Sequence, residues 1–458
     1  MKKSIKQLVC VFLSLCLVVL PATGNVLADA IVNDNVMDTY PEAPEIVAKT
    51  AILIDADTGA ILYDKDMHKK MYPASITKIM TALLAIEKLP LDSTFTFTNS
   101  IISSLPYDAA KYGYIAGEEV TIRDLLYVLM LRSANEVAIG LGMNISGTEE
   151  EFGKLMTERA RAAGALDTNF VHASGLHDDN HYTTAYDMAM IAKDAIKNPT
   201  FSEVWGSASY IVQPTNVESD IVKIWNRHEM LVKTKADYYE YAKGGKTGYT
   251  DEAGRTLVTY AEKNGMNLIC VVMFSDTANV KKDTRALFEY GFSNFKKVNV
   301  NGTEQRFGQS DNGYFVSRKN MFNQSGSLLS LNDTYVTIPK DTSLSQIGYK
   351  ISYDKKDGQS KNVIANIIYE MEGHYLGETS LVLNENLSEN GGISSYNKAP
   401  EVQEVVQEDE FPINIWWIGG AVVAIIIAVL MFRFLRITGK RRKIKKERQK
   451  HFSSRMFK

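Results

Sequence analysis

Ser75-Ile76-Thr77-Lys78 sets a hydroxyl and a primary amine three residues apart. On a helix that spacing puts both groups on one face, so Ser75 is a candidate nucleophile with Lys78 beside it as its base. A tetrapeptide of this form is common by chance. Its weight comes from two partners that follow it in order, Ser133-Ala134-Asn135 and Lys246-Thr247-Gly248, because a motif becomes credible through its context. A second hydroxyl, an amide and a cation beside a hydroxyl are what acyl transfer asks for beyond the nucleophile: a proton relay, a grip on the peptide group and a counter-charge for an anionic end. Taken singly, Ser133 and Asn135 read equally well as helix caps.

The elements that must position these groups can be read around them. Ala51 to Ile54 and Ala60 to Tyr63 flank Asp57-Thr58-Gly59, a hairpin signal just ahead of Ser75. Pro73-Ala74 then introduces a helical apolar spacing through Leu84, which predicts Ser75 near a helix N-terminus, where free N–H groups favour a developing oxyanion. Thr121-Ile122-Arg123-Asp124 opens a further helix through Leu131, and 149–163 reads as another. Strand chemistry returns at Thr256 to Ala261, turns at Asn264-Gly265 and continues from Asn267 to Phe274. An amphipathic helix over 282–295 follows. From 298 to 383 short β-prone segments such as 334–338, 347–353 and 363–369 predict a small all-β domain.

The ends of the 458-residue chain predict where it works. Lys2, Lys3 and Lys6 precede an uncharged run from Leu8 to Leu20 with small residues about Ala28, the pattern of a secretory signal peptide over 1–28. Ile415 to Phe432 is uncharged, begins with Trp416-Trp417 and is followed by Arg433, Arg436 and Lys440-Arg441-Arg442-Lys443. That reads as a transmembrane helix over 413–435 with a cytoplasmic tail over 436–458. The polar, acidic stretch 384–412 is then a flexible stalk. The net charge of −3 hides an asymmetry, since 433–458 holds twelve Lys or Arg against one Glu and the body is correspondingly acidic. An acidic exported body argues against nucleic acid as partner, and the tail's charge suits anionic lipid. Two of three cysteines fall in the signal peptide, so Cys270 has no intramolecular partner; its apolar run predicts a buried strand residue.

Taken together, the motifs resemble the penicillin-binding protein and serine β-lactamase superfamily, and within it the low-molecular-mass D-alanyl-D-alanine carboxypeptidases. The resemblance spans roughly 40–295 strongly and the β-domain more loosely. It is carried by Pro73-Ala74-Ser75-Ile76-Thr77-Lys78, by the long stretch from Gly175 to Asp187, by Asn226-Arg227 and by Lys246-Thr247-Gly248-Tyr249-Thr250. It implies an α/β (α+β) transpeptidase-like fold with an antiparallel sheet and a helical region over 29–297. It also implies peptidoglycan stem peptides as substrate, β-lactam antibiotics as inhibitors, and no cofactor or metal. The expected location is the cell membrane, by a single C-terminal pass in contact with lipid, with the catalytic domain extracellular.

On that resemblance Ser75 attacks the carbonyl between two D-alanines while Lys78 takes its proton, helped by positive charge on Lys246 that lowers the Lys78 pKa. Ser133 relays a proton to the leaving amine, Asn135 holds the peptide group, and Lys246 with Thr247 takes the terminal carboxylate. By family analogy the backbone N–H groups of Ser75 and Tyr249 form the oxyanion hole, and Gly248 is counted with Tyr249 among the substrate-binding residues. Arg227 is either a substrate contact or a structural ion-pair partner. A later carboxylate-binding cation is sought among Lys281, Lys282 and Arg285. His177, Asp178, Asp179 and His181 could suggest a metal, yet their segment matches a metal-free family element. A β-lactamase needs a deacylating Glu-x-x-Leu-Asn-like element, and none stands between Ala134 and Lys243. The alternative function is a catalytically silent penicillin-binding sensor or wall tether, which complete motifs argue against.

Overall fold

Period-two alternation accounts for the central sheet. In the strand β1 (Thr50–Asp55), Ile52 and Ile54 face one way and Ala51 and Leu53 the other. A hairpin joins β1 to β2 (Ile61–Lys65). The other three strands come from much later in the chain: β3 (Ala242–Thr250), β4 (Gly254–Lys263) and β5 (Met266–Ser275). All pairs are antiparallel, in the order β2-β1-β5-β4-β3. The computed structural model describes residues 40–304, 306, 329–356 and 358–383. The expected signal peptide, stalk, membrane span and basic tail lie outside the described residues. Among the described residues no helix is long and apolar enough to cross a membrane.

Both faces of the sheet are covered, which is why its inner strands read as almost continuous apolar runs. Ile52, Ile54, Val258, Ile269, Val271 and Met273 pack into the helical side. Leu53, Leu257, Leu268, Cys270 and Val272 pack beneath the last helix of the domain, Val280–Asn294. Cys270 is a fully buried strand residue on that second face. Ile52, Leu53 and Ile54 are wholly removed from solvent, each burial worth about 1.5–3 kcal/mol relative to exposure.

The helical side carries the motifs. A 3-10 turn, Ala74–Thr77, runs directly into helix α1 (Lys78–Lys88), so the first motif begins in the tighter turn and ends on the α-helix. Helix α2 (Ile122–Tyr127) is capped by Thr121, whose hydroxyl accepts from the Asp124 N–H at 3.1 Å. It continues as a π-helical turn, Val128–Arg132, and then helix α3 (Asn135–Ser146) starts. Ser133 and Ala134 are the joint between them.

After Val280–Asn294 the chain forms two small antiparallel sheets. Phe295–Asn299 pairs with Tyr335–Pro339, and Leu329–Leu331, His374–Leu383, Val363–Met371 and Gly348–Ser352 lie side by side in that order. They enclose a core of their own about Val336, Ile338, Ile367, Tyr369 and Leu376. The seam with the main sheet is polar and specific: the Thr337 hydroxyl donates to Asp55 Oδ2 at 2.9 Å and meets the Thr58 hydroxyl at 2.8 Å.

Candidate active site

The first motif is held in a strained turn against the edge of the sheet. Ala74 is left-handed, φ +51°, a conformation costing about 1–2 kcal/mol for a residue with a Cβ. The Pro73 carbonyl accepts from the Thr256 hydroxyl at 2.8 Å, tying the turn to β4. Gly248 of β3 lies flush against it: a Cβ there would stand 2.9 Å from the Ser75 nitrogen and 2.3 Å from Thr256 Oγ1. The glycine of the third motif is thus a packing requirement, since the strand must approach the nucleophile turn this closely.

Lys78 is fully buried, and its Nζ has three neighbours. They are Ser75 Oγ at 3.0 Å, Asn135 Oδ1 at 2.7 Å and the Ser174 carbonyl at 2.5 Å. Burial first, then the charges of Lys246 and Arg227, hold its pKa well below the ordinary lysine value, against an opposing pull from Glu136. The Lys246 charge acts in the expected direction, but burial comes ahead of it. A neutral amine has two N–H groups and one lone pair. The amide oxygen and the carbonyl are pure acceptors and take both N–H groups, which leaves the lone pair for the Ser75 O–H.

Ser133 is left-handed as well, φ +63°, at the end of the π turn. Its Oγ accepts from Lys246 Nζ at 3.0 Å, so its own O–H is left to donate. Lys246 is buried and also donates to the Thr247 carbonyl at 2.9 Å. Burial, then Arg227, lowers its pKa to about 7. Asn135 is the first residue of α3, its N–H donating to the Ala110 carbonyl at 2.9 Å.

One open cleft gathers Ser75, Ser133, Asn135, Thr247, Tyr249 and Arg227 on its walls. Arg227 is exposed there, and among the described residues no carboxylate lies in ion-pair range of it. Of the three later candidates only Lys281 reaches the cleft, and the carboxylates of Glu229 and Asp237 already compensate it. Arg285 instead donates to the Asp237 and Tyr238 carbonyls at 3.1 and 2.9 Å. The cleft has another cation that the sequence reading missed, Arg255, which lies 4.3 Å over the Tyr249 ring. The signal was there in the hairpin register, since Tyr249 and Arg255 are cross-strand partners. Among the described residues no group of three or more His, Cys, Asp or Glu is placed to hold a metal. His177 is at the cleft, 3.5 Å from Asp179, whereas His181 is buried and engaged with Thr77.

The profile of peptidase S11, D-alanyl-D-alanine carboxypeptidase, matches residues 37–277. The chain is 33% identical over 255 residues to the D-alanyl-D-alanine carboxypeptidase DacF of Bacillus subtilis, covering 54% of this chain and 63% of that protein's length. It is 28% identical to DacA of Haemophilus influenzae, covering 76% of this chain and 87% of the relative. The crystal structure of penicillin binding protein 5 from Haemophilus influenzae superposes with a TM-score of 0.59 at 27% identity, covering 75% of this chain and 98% of the other. The D-alanyl-D-alanine carboxypeptidase of Mycobacterium tuberculosis H37Rv gives 0.51 at 29% identity, with 56% and 95% covered.

Proposed function

Because this chain belongs to the D-alanyl-D-alanine carboxypeptidase family, peptidase S11, we propose that it removes the terminal D-alanine from peptidoglycan stem peptides through an acyl-enzyme on Ser75. Penicillin acylates the same serine. The observation that carries the reading is the buried Lys78 amine, with Asn135 Oδ1, the Ser174 carbonyl and Ser75 Oγ all within 3.0 Å of Nζ.

The proposed reaction asks for the following steps. The terminal carboxylate docks on Lys246 and the Thr247 hydroxyl with Arg227 at the wall, and Asn135 holds the peptide group. Ser75 Oγ attacks the carbonyl between the two D-alanines as its proton passes to Lys78 Nζ. The oxyanion faces the Ser75 and Tyr249 N–H groups. When the C–N bond breaks, Ser133 donates its proton to the leaving amine, and the proton that Lys78 took from Ser75 makes good the loss. D-Alanine departs with its carboxylate, water attacks the ester with Lys78 again as base, and the shortened peptide leaves with Ser75 restored.

The same reading places the work outside the cell. The signal-peptide pattern over 1–28 and the uncharged run from Ile415 to Phe432, followed by basic residues, support an exported domain held to the membrane. A membrane-impermeant thiol reagent on intact cells tests it, with cysteines placed singly in 384–412 and 436–458; labelling of the tail alone overturns the orientation. The chemistry is tested by incubating the protein with a peptide ending in D-Ala-D-Ala and assaying free D-alanine. Ser75→Ala is expected to release none and to take no fluorescent penicillin. An undiminished penicillin adduct in that variant, by intact mass, removes Ser75 from the role.

A further inference from the structure

His181 is wholly buried, and both of its ring nitrogens are committed. Nδ1 accepts from the Val171 N–H at 3.0 Å, which puts the ring proton on Nε2. Nε2 then donates to the Thr77 hydroxyl at 2.9 Å. Thr77 stands between Ser75 and Lys78 in the turn that carries them. The ring therefore joins the segment 171–175 to the nucleophile turn. Two more ties run between the same partners: the Lys78 amine on the Ser174 carbonyl, and the Thr81 hydroxyl donating to the Ala173 carbonyl at 2.7 Å. Gly175 closes the contact, so near that a Cβ would stand 2.7 Å from Thr77 Oγ1. An apolar side chain could fill the same space. It could not hold a backbone N–H on one side and the Thr77 hydroxyl on the other.

We infer that His181 is a positioning residue for the general base: through Thr77 it fixes 171–175 against α1, so that the Ser174 carbonyl stays where it takes an N–H of Lys78. The lone pair of Lys78 is thereby kept on Ser75. This rests on the reading of Ser75 and Lys78 given above. Burial, with His172 and Lys78 as neighbours, keeps the His181 pKa well below that of a free histidine, so the bracket is uncharged. His172 stacks on its ring at 4.5 Å.

The test uses the full chain and the second-order rate of acylation by a fluorescent penicillin between pH 5 and 9, expressed per titratable active site. His181→Leu is expected to lose on the order of 10–100-fold, the cost of displacing a reacting group by a fraction of an ångström to one ångström. Once 171–175 loosens from α1, water reaches Lys78 and relieves its burial, so the acid limb of the profile moves to higher pH. The charged and titratable groups facing Lys78, namely Lys246, Glu136, Arg227 and His172, are unchanged in that variant. His181→Gln, whose amide can still donate to Thr77, should recover much of the rate. Should His181→Leu fail to fold, Thr77→Val removes only the acceptor hydroxyl and carries the same expectation. Active sites that acylate at the parent rate with an unmoved acid limb, in either variant, overturn the inference. Acylation surviving in Ser75→Ala would instead strike the underlying reading.

Discussion

Gly175→Ala is the sharpest perturbation the geometry offers, because it pushes backbone against backbone under the nucleophile. Gly175 has φ +75°, and a Cβ there would stand 2.0 Å from the Ala74 carbonyl oxygen and 2.6 Å from its carbon. Carbon and oxygen settle no closer than about 3.3 Å, so the two chains must part by about 1 Å. Ala74 immediately precedes Ser75 and is itself left-handed, with Pro73 behind it tied to Thr256, so it has little freedom to yield. A displacement of about 1 Å at a reacting group costs about 100-fold in rate, or about 2.7 kcal/mol. If the other side moves instead, the Ser174 carbonyl leaves Lys78 and the base loses its orientation. Stability falls too, by about 1–2 kcal/mol for the left-handed alanine and about 1–3 kcal/mol for the clash. Stopped-flow acylation by a fluorescent penicillin measures the first effect and urea unfolding the second. Gly164→Ala is the control, since Gly164 has φ +90° with nothing within 4 Å of its added Cβ. It should lose only the conformational part and acylate normally. A folded Gly175→Ala protein that acylates within about twofold of the parent refutes the argument.

Three further outcomes are expected. A peptide amidated at its C-terminus keeps the scissile bond but offers no charge to Lys246, Thr247 and Arg227; its kcat/KM should fall by about 2–4 kcal/mol, and equal turnover of acid and amide would move the contact elsewhere. Arg227→Gln removes the charge that, after burial, depresses Lys246 to about 7. The pKa of Lys246 then rises, so the alkaline limb of kcat/KM, where Lys246 loses the proton that binds carboxylate, should move to higher pH even as the rate drops; a limb that stays in place denies the coupling. His228 is buried beside Lys246 and Lys281, which after burial itself lower its pKa to about 3. Between pH 6.5 and 3 the unfolded chain therefore binds a proton that the folded one refuses, and stability falls with falling pH at up to about 1.4 kcal/mol per unit. His228→Gln should flatten that slope in urea titrations at pH 7, 6, 5 and 4, and identical slopes would contradict it.

What was legible in the sequence was whatever side-chain type and period declare. The first hairpin, the strands Gly254–Lys263 and Met266–Ser275 with their Asn264-Gly265 turn, and the helix Glu149–Ala162 stand where spacing put them, and the helix opened by Thr121 runs on as expected but turns π-helical after Tyr127. Of the motif residues, Ser75, Ser133, Asn135, Thr247 and Gly248 line one cleft, while Lys78 and Lys246 are buried and hydrogen-bonded to Ser75 and Ser133. Less visible was a second small hairpin, Ser209–Val212 with Val222–Trp225, whose strands are too short for a period to assert itself. Compensation was invisible as well. Lys281 looks like a free cation in the sequence and is neutralised by Glu229 and Asp237 in the fold, while Arg255 looks incidental and lines the cleft.

The part of the site that no motif encodes is supplied by backbone and by burial, and that part does the selecting. A lysine in water at neutral pH is a cation and no base. Here Lys78 becomes one because the fold removes it from water and then satisfies both N–H groups with acceptors, one of them the main-chain carbonyl of Ser174, which any residue type could have offered. Lys246 is buried too, yet among the described residues it meets a hydroxyl and a carbonyl and no carboxylate, which is the setting the proposed grip on a substrate's free terminus requires. On the proposed reading, two lysines of one type are thus separated into a base and an anion receptor by their surroundings. That division depends on Gly175 and Gly248 letting two backbones close on the nucleophile turn, and on His181 holding one of them there.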